Sequence, residues 1–248
     1  MEFAPPTAPP WLISAFVFLP MLVVLTALIG VSVALRRSGG SRLLQWLVAL
    51  LLVGAMGASL DLALDQGLAK FDSAVAPFLP LTAGCIALWV IIAASRVGRA
   101  VAALPVAALI AFHVFRLPLE LMMHAAASAG VMPHQMSYSG WNFDIVTGVT
   151  ALLVAPLAAF GGVTRSALLA WNALGSVLLL VIVLVAIASS PPWLAFGAER
   201  ANTWVAYAPF VWLPTVLVPA AAAGHVVLWR RLLQHQDDAV PAPPAQAS

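Results

Sequence analysis

One stretch of the chain, Phe112 to Ile145, concentrates the residues that could do chemistry. It reads FHVFRLPLELMMHAAASAGVMPHQMSYSGWNFDI and carries His113, Arg116, Glu120 and His124 at steps of three, four and four. On an α-helix, at about 100° per residue, those steps gather the four side chains within roughly 80° of one another and spread them over about 16 Å. Arg116 and Glu120 are spaced for an ion pair. The Arg116 guanidinium could hold a carboxylate or phosphate with two parallel hydrogen bonds. Glu120 or His124 could act as a general base. Pro118 cannot donate to the carbonyl of Val114, so a kink or cavity is expected there. The loop that follows adds His134, Met136, Ser137, Tyr138 and Asn142, with Asp144 beside it. Asn142 also suits a helix N-cap, and Asp144 the acidic first turn of that helix. Asp61 and Asp65, four residues apart, could join the rim of the same pocket.

Metal chemistry has thinner support. Met122, Met123, His124, Met132, His134 and Met136 offer the thioether and imidazole groups that suit Cu(I). Zinc held by His113, His124, His134 and a carboxylate would need the loop to fold back over the helix. His113 and His124 lie about three turns apart and cannot share one ion on a regular helix. That leaves His124, His134 and Met136 as metal candidates. A haem between His113 and His225 would need both near one plane, whereas His225 is expected at the inner interface. Cys85 is the only cysteine, which excludes an intramolecular disulfide and a multi-cysteine cluster.

The elements that carry these residues are apolar. Hydrophobic residues make up 63% of the 248 and charged residues 8%, against about 25% charged in an average soluble domain. This excludes a soluble enzyme and a disordered chain, and a net charge of +2 leaves no footprint for a nucleic acid. The expected fold class is all-α: a polytopic membrane bundle whose first partner is the lipid bilayer. Seven stretches approach the roughly 20 apolar residues that a crossing needs. They are Trp11–Leu35, Leu43–Leu62, Val75–Ala94, Ala100–Met123, Asn142–Phe160, Ala167–Ala188 and Ala206–Trp229. With Glu2 and four early prolines the start lacks a basic leader, so the first stretch is expected to be a retained span. One transmembrane domain over 1–236 and a disordered cytoplasmic tail at 237–248 complete the organisation.

Arginines orient the bundle. Arg36, Arg37, Arg42, Arg96, Arg99, Arg165, Arg230 and Arg231 all fall on one side of a seven-span count, leaving Lys70 and Arg200 on the other. Basic loops stay cytoplasmic, which predicts an external N-terminus and a cytoplasmic C-terminus. Trp11, Trp141, Trp193, Trp204 and Trp212 are expected at the outer interface, and Trp46, Trp171 and Trp229 at the inner one. Gly54 and Gly57 suggest close helix packing. Pro214 and Pro219 mark the last span as a kinked or moving element. The segment Ser189–Tyr207 reads as an interfacial cap or a lid.

Topology alone does not assign an activity. A retinal pigment is excluded, because Lys70, the only lysine, falls outside the spans. No phosphate-binding glycine loop is present, so ATP-driven work by this chain alone is not expected. The central stretch resembles a family of uncharacterised bacterial seven-helix membrane proteins. The resemblance rests on Arg116, Pro118 and Glu120, then Pro133, Met136, Ser137, Tyr138, Gly140, Asn142, Phe143 and Asp144, with Val211-Trp212-Leu213-Pro214 near the end. It implies a multi-pass protein of the bacterial inner membrane and carries no activity.

The residues themselves point to an outward-facing polar pocket formed by Arg116, Glu120, His113, His124, Tyr138, Asn142 and Asp144. Such a pocket would bind or transport a small anionic or zwitterionic solute, or protons. Two alternatives stay open at this level. One is an intramembrane enzyme, with or without a metal, working at the outer leaflet. The other is a structural subunit with no small-molecule site.

Overall fold

The computed structural model describes residues 3–234, and every regular element among them is helical. The tail expected at 237–248 lies outside the described residues. The long helices are α1 (Pro10–Arg37), α2 (Arg42–Leu64), α3 (Phe78–Ala94) and α8 (Arg165–Ala188). The short α4 (Arg96–Ala102) follows α3. Next comes one rod made of α5 (Val106–Ala111), a 3₁₀ turn (Phe112–Phe115) and α6 (Arg116–Ser128). The remaining helices are α7 (Ile145–Ala159) and α9 (Val218–Gln234). Side chains that cannot continue a helix start several of them. Ser41 Oγ accepts from the amide of Leu44 at 3.1 Å, and Thr164 Oγ1 from that of Ala167 at 3.3 Å.

Five helical stretches are long and apolar enough to cross a membrane: 10–37, 42–64, 106–128, 165–188 and 213–234. A sixth is α3 with α4, taken together across a 65° bend. The chain is therefore a multi-pass helical membrane protein. The remaining expected span, the fifth (Asn142–Phe160), holds only α7, which has 15 residues. That is about 22 Å of helix, short of a hydrocarbon core about 30 Å thick.

Three boundaries differ from expectation, each for a local reason. The fourth span starts at Val106, after Pro105, and not at Ala100. Ser95 ends α3 and caps α4, its hydroxyl accepting from the amide of Val97 at 3.0 Å. Gly98 lacks the Cβ that would collide with the carbonyl of Ala93. Arg230 then closes the bend, donating to the carbonyls of Ala93 at 2.8 Å and Ser95 at 2.9 Å. The fifth helix begins at Ile145 and not at Asn142, whose amide is used elsewhere.

The last helical stretch begins at Leu213 and not at Ala206. It opens with a π turn, Leu213–Leu217, in which the amide of Val218 reaches the carbonyl of Leu213. Pro219 cannot donate to the carbonyl of Thr215, and widening the preceding turn accommodates that loss. Pro214 and Pro219 thus do sit at an irregular element.

α9 lies at the centre, with α3 on one side and α8 on another. At the arginine-bearing end, Arg165 Nε donates to the carbonyl of Leu232 at 2.8 Å. Arg230 likewise meets the Ala93 carbonyl that the end of α3 leaves open. Trp11, Trp141 and Trp193 are exposed, but Trp204 and Trp212 are buried. Trp212 Nε1 donates to the carbonyl of Met56 on α2 at 3.0 Å, and Trp204 packs on Phe16 and Phe210. These two tryptophans pin helices together and do not belong to the interfacial belt.

Gly54 and Gly57 also depart from expectation, since a Cβ at either would meet open space. Close packing occurs at Gly148 on α7 instead, where a Cβ would collide with the backbone nitrogen of Leu117. Gly148→Ala is therefore expected to destabilise the bundle by about 1–3 kcal/mol, as overpacking does. Gly54→Ala should leave the thermal unfolding midpoint in lipid nanodiscs unchanged or raised.

Candidate functional site

The 3₁₀ turn places the first two polar residues of the 106–128 rod. At three residues per turn, positions three apart eclipse, so His113 and Arg116 share one line facing α9. Both are fully buried. Asp144, at the start of α7, reaches Arg116 from the other side. Arg116 Nε donates to Asp144 Oδ2 at 2.6 Å, and Nη2 donates to Oδ1. The ion pair expected between Arg116 and Glu120 is thus replaced by one between Arg116 and Asp144. Two parallel bonds to a carboxylate satisfy a guanidinium better than one contact along a helix.

A third guanidinium nitrogen continues the network. Arg116 Nη1 lies 2.8 Å from His225 Nε2 on α9. Arginine has donors only, so Nε2 accepts and the imidazole proton sits on Nδ1. Nδ1 is 2.7 Å from Asn172 Oδ1 on α8, and Asn172 Nδ2 returns a bond to the carbonyl of His225 at 3.3 Å. His225 is therefore a buried member of the cluster and not an interfacial residue. His113 stacks at a tilt on it, with ring centroids 4.3 Å apart, and neither ring nitrogen of His113 has a hydrogen-bond partner. Room for the two rings comes from glycines. A Cβ at Gly175 would come within 2.7 Å of His225, and one at Gly224 within 2.9 Å of His113.

Glu120 occupies the next turn toward the loop that follows α6 and is 1% exposed. Asn142 Nδ2 donates to Glu120 Oε2 at 2.7 Å and to the carbonyl of Met136 at 3.0 Å. Asn142 Oδ1 accepts from the amide of Asp144 at 3.1 Å. This is an Asx turn leading into α7 rather than an N-cap. The Asn142 side chain thereby links the two carboxylates of the site. No cation pairs with Glu120 among the described residues, whose only ion pairs are Arg116–Asp144 and the exposed Arg200–Glu199.

His124, Tyr138 and His134 form a separate, outer group. His124 stacks on Tyr138 at 4.4 Å, and its Nδ1 lies 3.0 Å from Ser137 Oγ. Ser139 Oγ lies 3.1 Å from His134 Nε2. Met136 faces the other way, into the inner cavity. The candidate metal set His124, His134 and Met136 is thus divided. No group of three His, Cys, Asp or Glu residues that could hold a metal occurs among the described residues. Asp61 and Asp65 are exposed and do not line the cavity.

A cavity of about 140 Å³ adjoins Arg116, Glu120 and Asp144. Its other walls are mainly apolar positions of α3, the 3₁₀ turn, α6, α8, α9 and the π turn, Phe78, Phe115 and Thr82 among them. Ser190, Asn202 and Val205 also line it, so Ser189–Tyr207 contributes to the cavity wall. Buried Asn202 is fastened there, with Nδ2 donating to the carbonyl of Ala186 and to Ser190 Oγ. Comparison of the chain with family models, curated proteins and solved structures found no match.

The spacing in the sequence identified five of the participants: His113, Arg116, Glu120, Asn142 and Asp144. It missed Asn172, whose signal was a lone amide inside an apolar helix, and misplaced His225. A thermodynamic cycle can verify the pairing. Asp144→Asn strands a buried guanidinium and should cost about 3–5 kcal/mol. Arg116→Gln/Asp144→Asn should be less damaging than the sum of its single substitutions, with a coupling of about 2–3 kcal/mol. Glu120→Gln keeps an acceptor for Asn142 and should stay within about 1 kcal/mol of the parent. Denaturant unfolding in mixed micelles reads all four variants.

Proposed function

We propose that this chain is a carrier of the bacterial inner membrane that binds either a proton or a small solute at Glu120. The observation that carries this reading is a carboxyl group 1% exposed, unpaired with any cation among the described residues and facing a cavity in an apolar bundle. A carboxylate moved out of water needs a counter-charge, and here a proton or an incoming cation must supply it. The group first expected to bind an anion, Arg116, is already committed to Asp144 and His225. The reading therefore moves from an anionic solute toward protons. The hydrogen-bonded and stacked groups His134, Ser139, Ser137, His124 and Tyr138 lie on the loop side of Glu120; in this reading water between them and Glu120 completes the proton's path to the outer face.

Seven spans, with an external N-terminus and a cytoplasmic C-terminus, suit this role. Support comes from the eight arginines that a seven-span count places on one side and from the packing that joins several of their helix ends. In this reading the fifth span is α7 together with residues Asn142–Asp144 ahead of it.

The test is proton flux into dye-loaded liposomes under an imposed membrane potential. Liposomes holding the parent protein should acidify at least tenfold faster than protein-free liposomes or liposomes holding Glu120→Gln. Equal rates for Glu120→Gln and the parent, or for the parent and empty liposomes, would overturn the reading.

A further inference from the structure

The cavity beside Glu120 opens sideways. Two of its lining residues, Ala83 on α3 and Ile187 on α8, are also exposed on the outside of the bundle. Both helices pack on α9, yet they make no substantial contact with each other. The gap between them is therefore flanked by lipid-facing helices, and its walls are mostly hydrocarbon, with Ile86, Leu179 and Val183 among them and the Thr82 hydroxyl spent on the carbonyl of Phe78. At the inner end of this gap stands a carboxyl group with a single hydrogen bond, from Asn142, and no cationic partner among the described residues.

A site of this form selects on two counts. Its mostly hydrocarbon walls accept an alkyl chain but offer a compact, fully hydrated ion too few hydrogen bonds to replace its water. The charge at its end favours a cation: Arg116 and Asp144 cancel, and Glu120 is left over. An anion would enter a site with a surplus negative charge, at an energetic penalty that the low dielectric enlarges. We infer that the solute is an amphiphilic cation, an alkylamine or alkylammonium. It enters from the bilayer between α3 and α8, places its cationic head at Glu120 and leaves its chain in the α3–α8 gap. The inference rests on Glu120 being the exchangeable site proposed above. Bound cation and bound proton then exclude each other, since each supplies the one counter-charge that Glu120 lacks.

The experiment uses the full chain in nanodiscs of zwitterionic lipid. Titration calorimetry is run with decyltrimethylammonium and corrected with protein-free nanodiscs. One saturable site is expected on the parent protein. Affinity should fall at least tenfold in Glu120→Gln, which removes the charge, and in Ala83→Trp, which fills the mouth. Tetramethylammonium, lacking the chain, should bind at least tenfold more weakly, and decanesulfonate should not bind at the site. Unchanged binding to Glu120→Gln, or equal binding of decanesulfonate, would overturn the inference. Alkylammonium binding that fails while proton flux still depends on Glu120 refutes the cationic solute and leaves the proton carrier standing. Flux independent of Glu120 with intact alkylammonium binding refutes the proton carrier alone. Failure of both measurements removes both.

Discussion

The ion pair between Arg116 and Asp144 is the constraint on which the rest of the structure depends. A guanidinium inside a hydrocarbon-like bundle costs several kcal/mol in lost hydration, and that cost is offset only when its donors are met with good geometry. Asp144 meets two of them and His225 a third, while Asn172 orients the histidine. Four helices are thereby tied to one charge: α6 carries it, α7 neutralises it, and α9 and α8 complete its shell. Because the pair is closed internally, the remaining acid in the cluster, Glu120, has a hydrogen bond from Asn142 but no cationic partner among the described residues. The chemical character of the site follows from that imbalance.

Two backbone irregularities of the spans lie beside this pair. The 3₁₀ turn at Phe112–Phe115 brings His113 into line with Arg116, and Pro118 in the next turn removes the helix bond that would have opposed it. The π turn at Leu213–Leu217 borders the cavity directly. Glycines at 148, 175 and 224 supply the space in which α6, α7, α8 and α9 approach one another. Each of these residues is a weak helix former or a helix breaker, tolerated inside an apolar span because the tertiary contacts compensate.

Much of this was legible in the sequence, for physical reasons. Membrane character followed from scarce charge and long apolar runs. The site followed from Arg116, Glu120 and Asp144, since a charge inside a span needs a reason to be there. Partner choice was not legible, because helical spacing sees only neighbours on the same helix. It favoured Arg116 with Glu120, whereas the actual partner arrives from α7. For the same reason His225 read as interfacial and Asn172 gave no signal strong enough to act on. The tryptophans show the converse failure: a belt residue and a core residue look alike until packing decides, as it does for Trp204 and Trp212. The bend after Ala94 depends on a cap, a glycine and an arginine distant in sequence, and only the last of these is non-local.

The most direct test of the central claim is which buried carboxyl exchanges its proton. Infrared difference spectra of the lipid-reconstituted protein, recorded across a pH titration, report the carbonyl stretch of a protonated carboxylic acid. With Asp144 locked in its ion pair, the expected result is one titrating buried-acid band that vanishes in Glu120→Gln. A band that persists in Glu120→Gln, or no titrating buried acid in the parent protein, would contradict it.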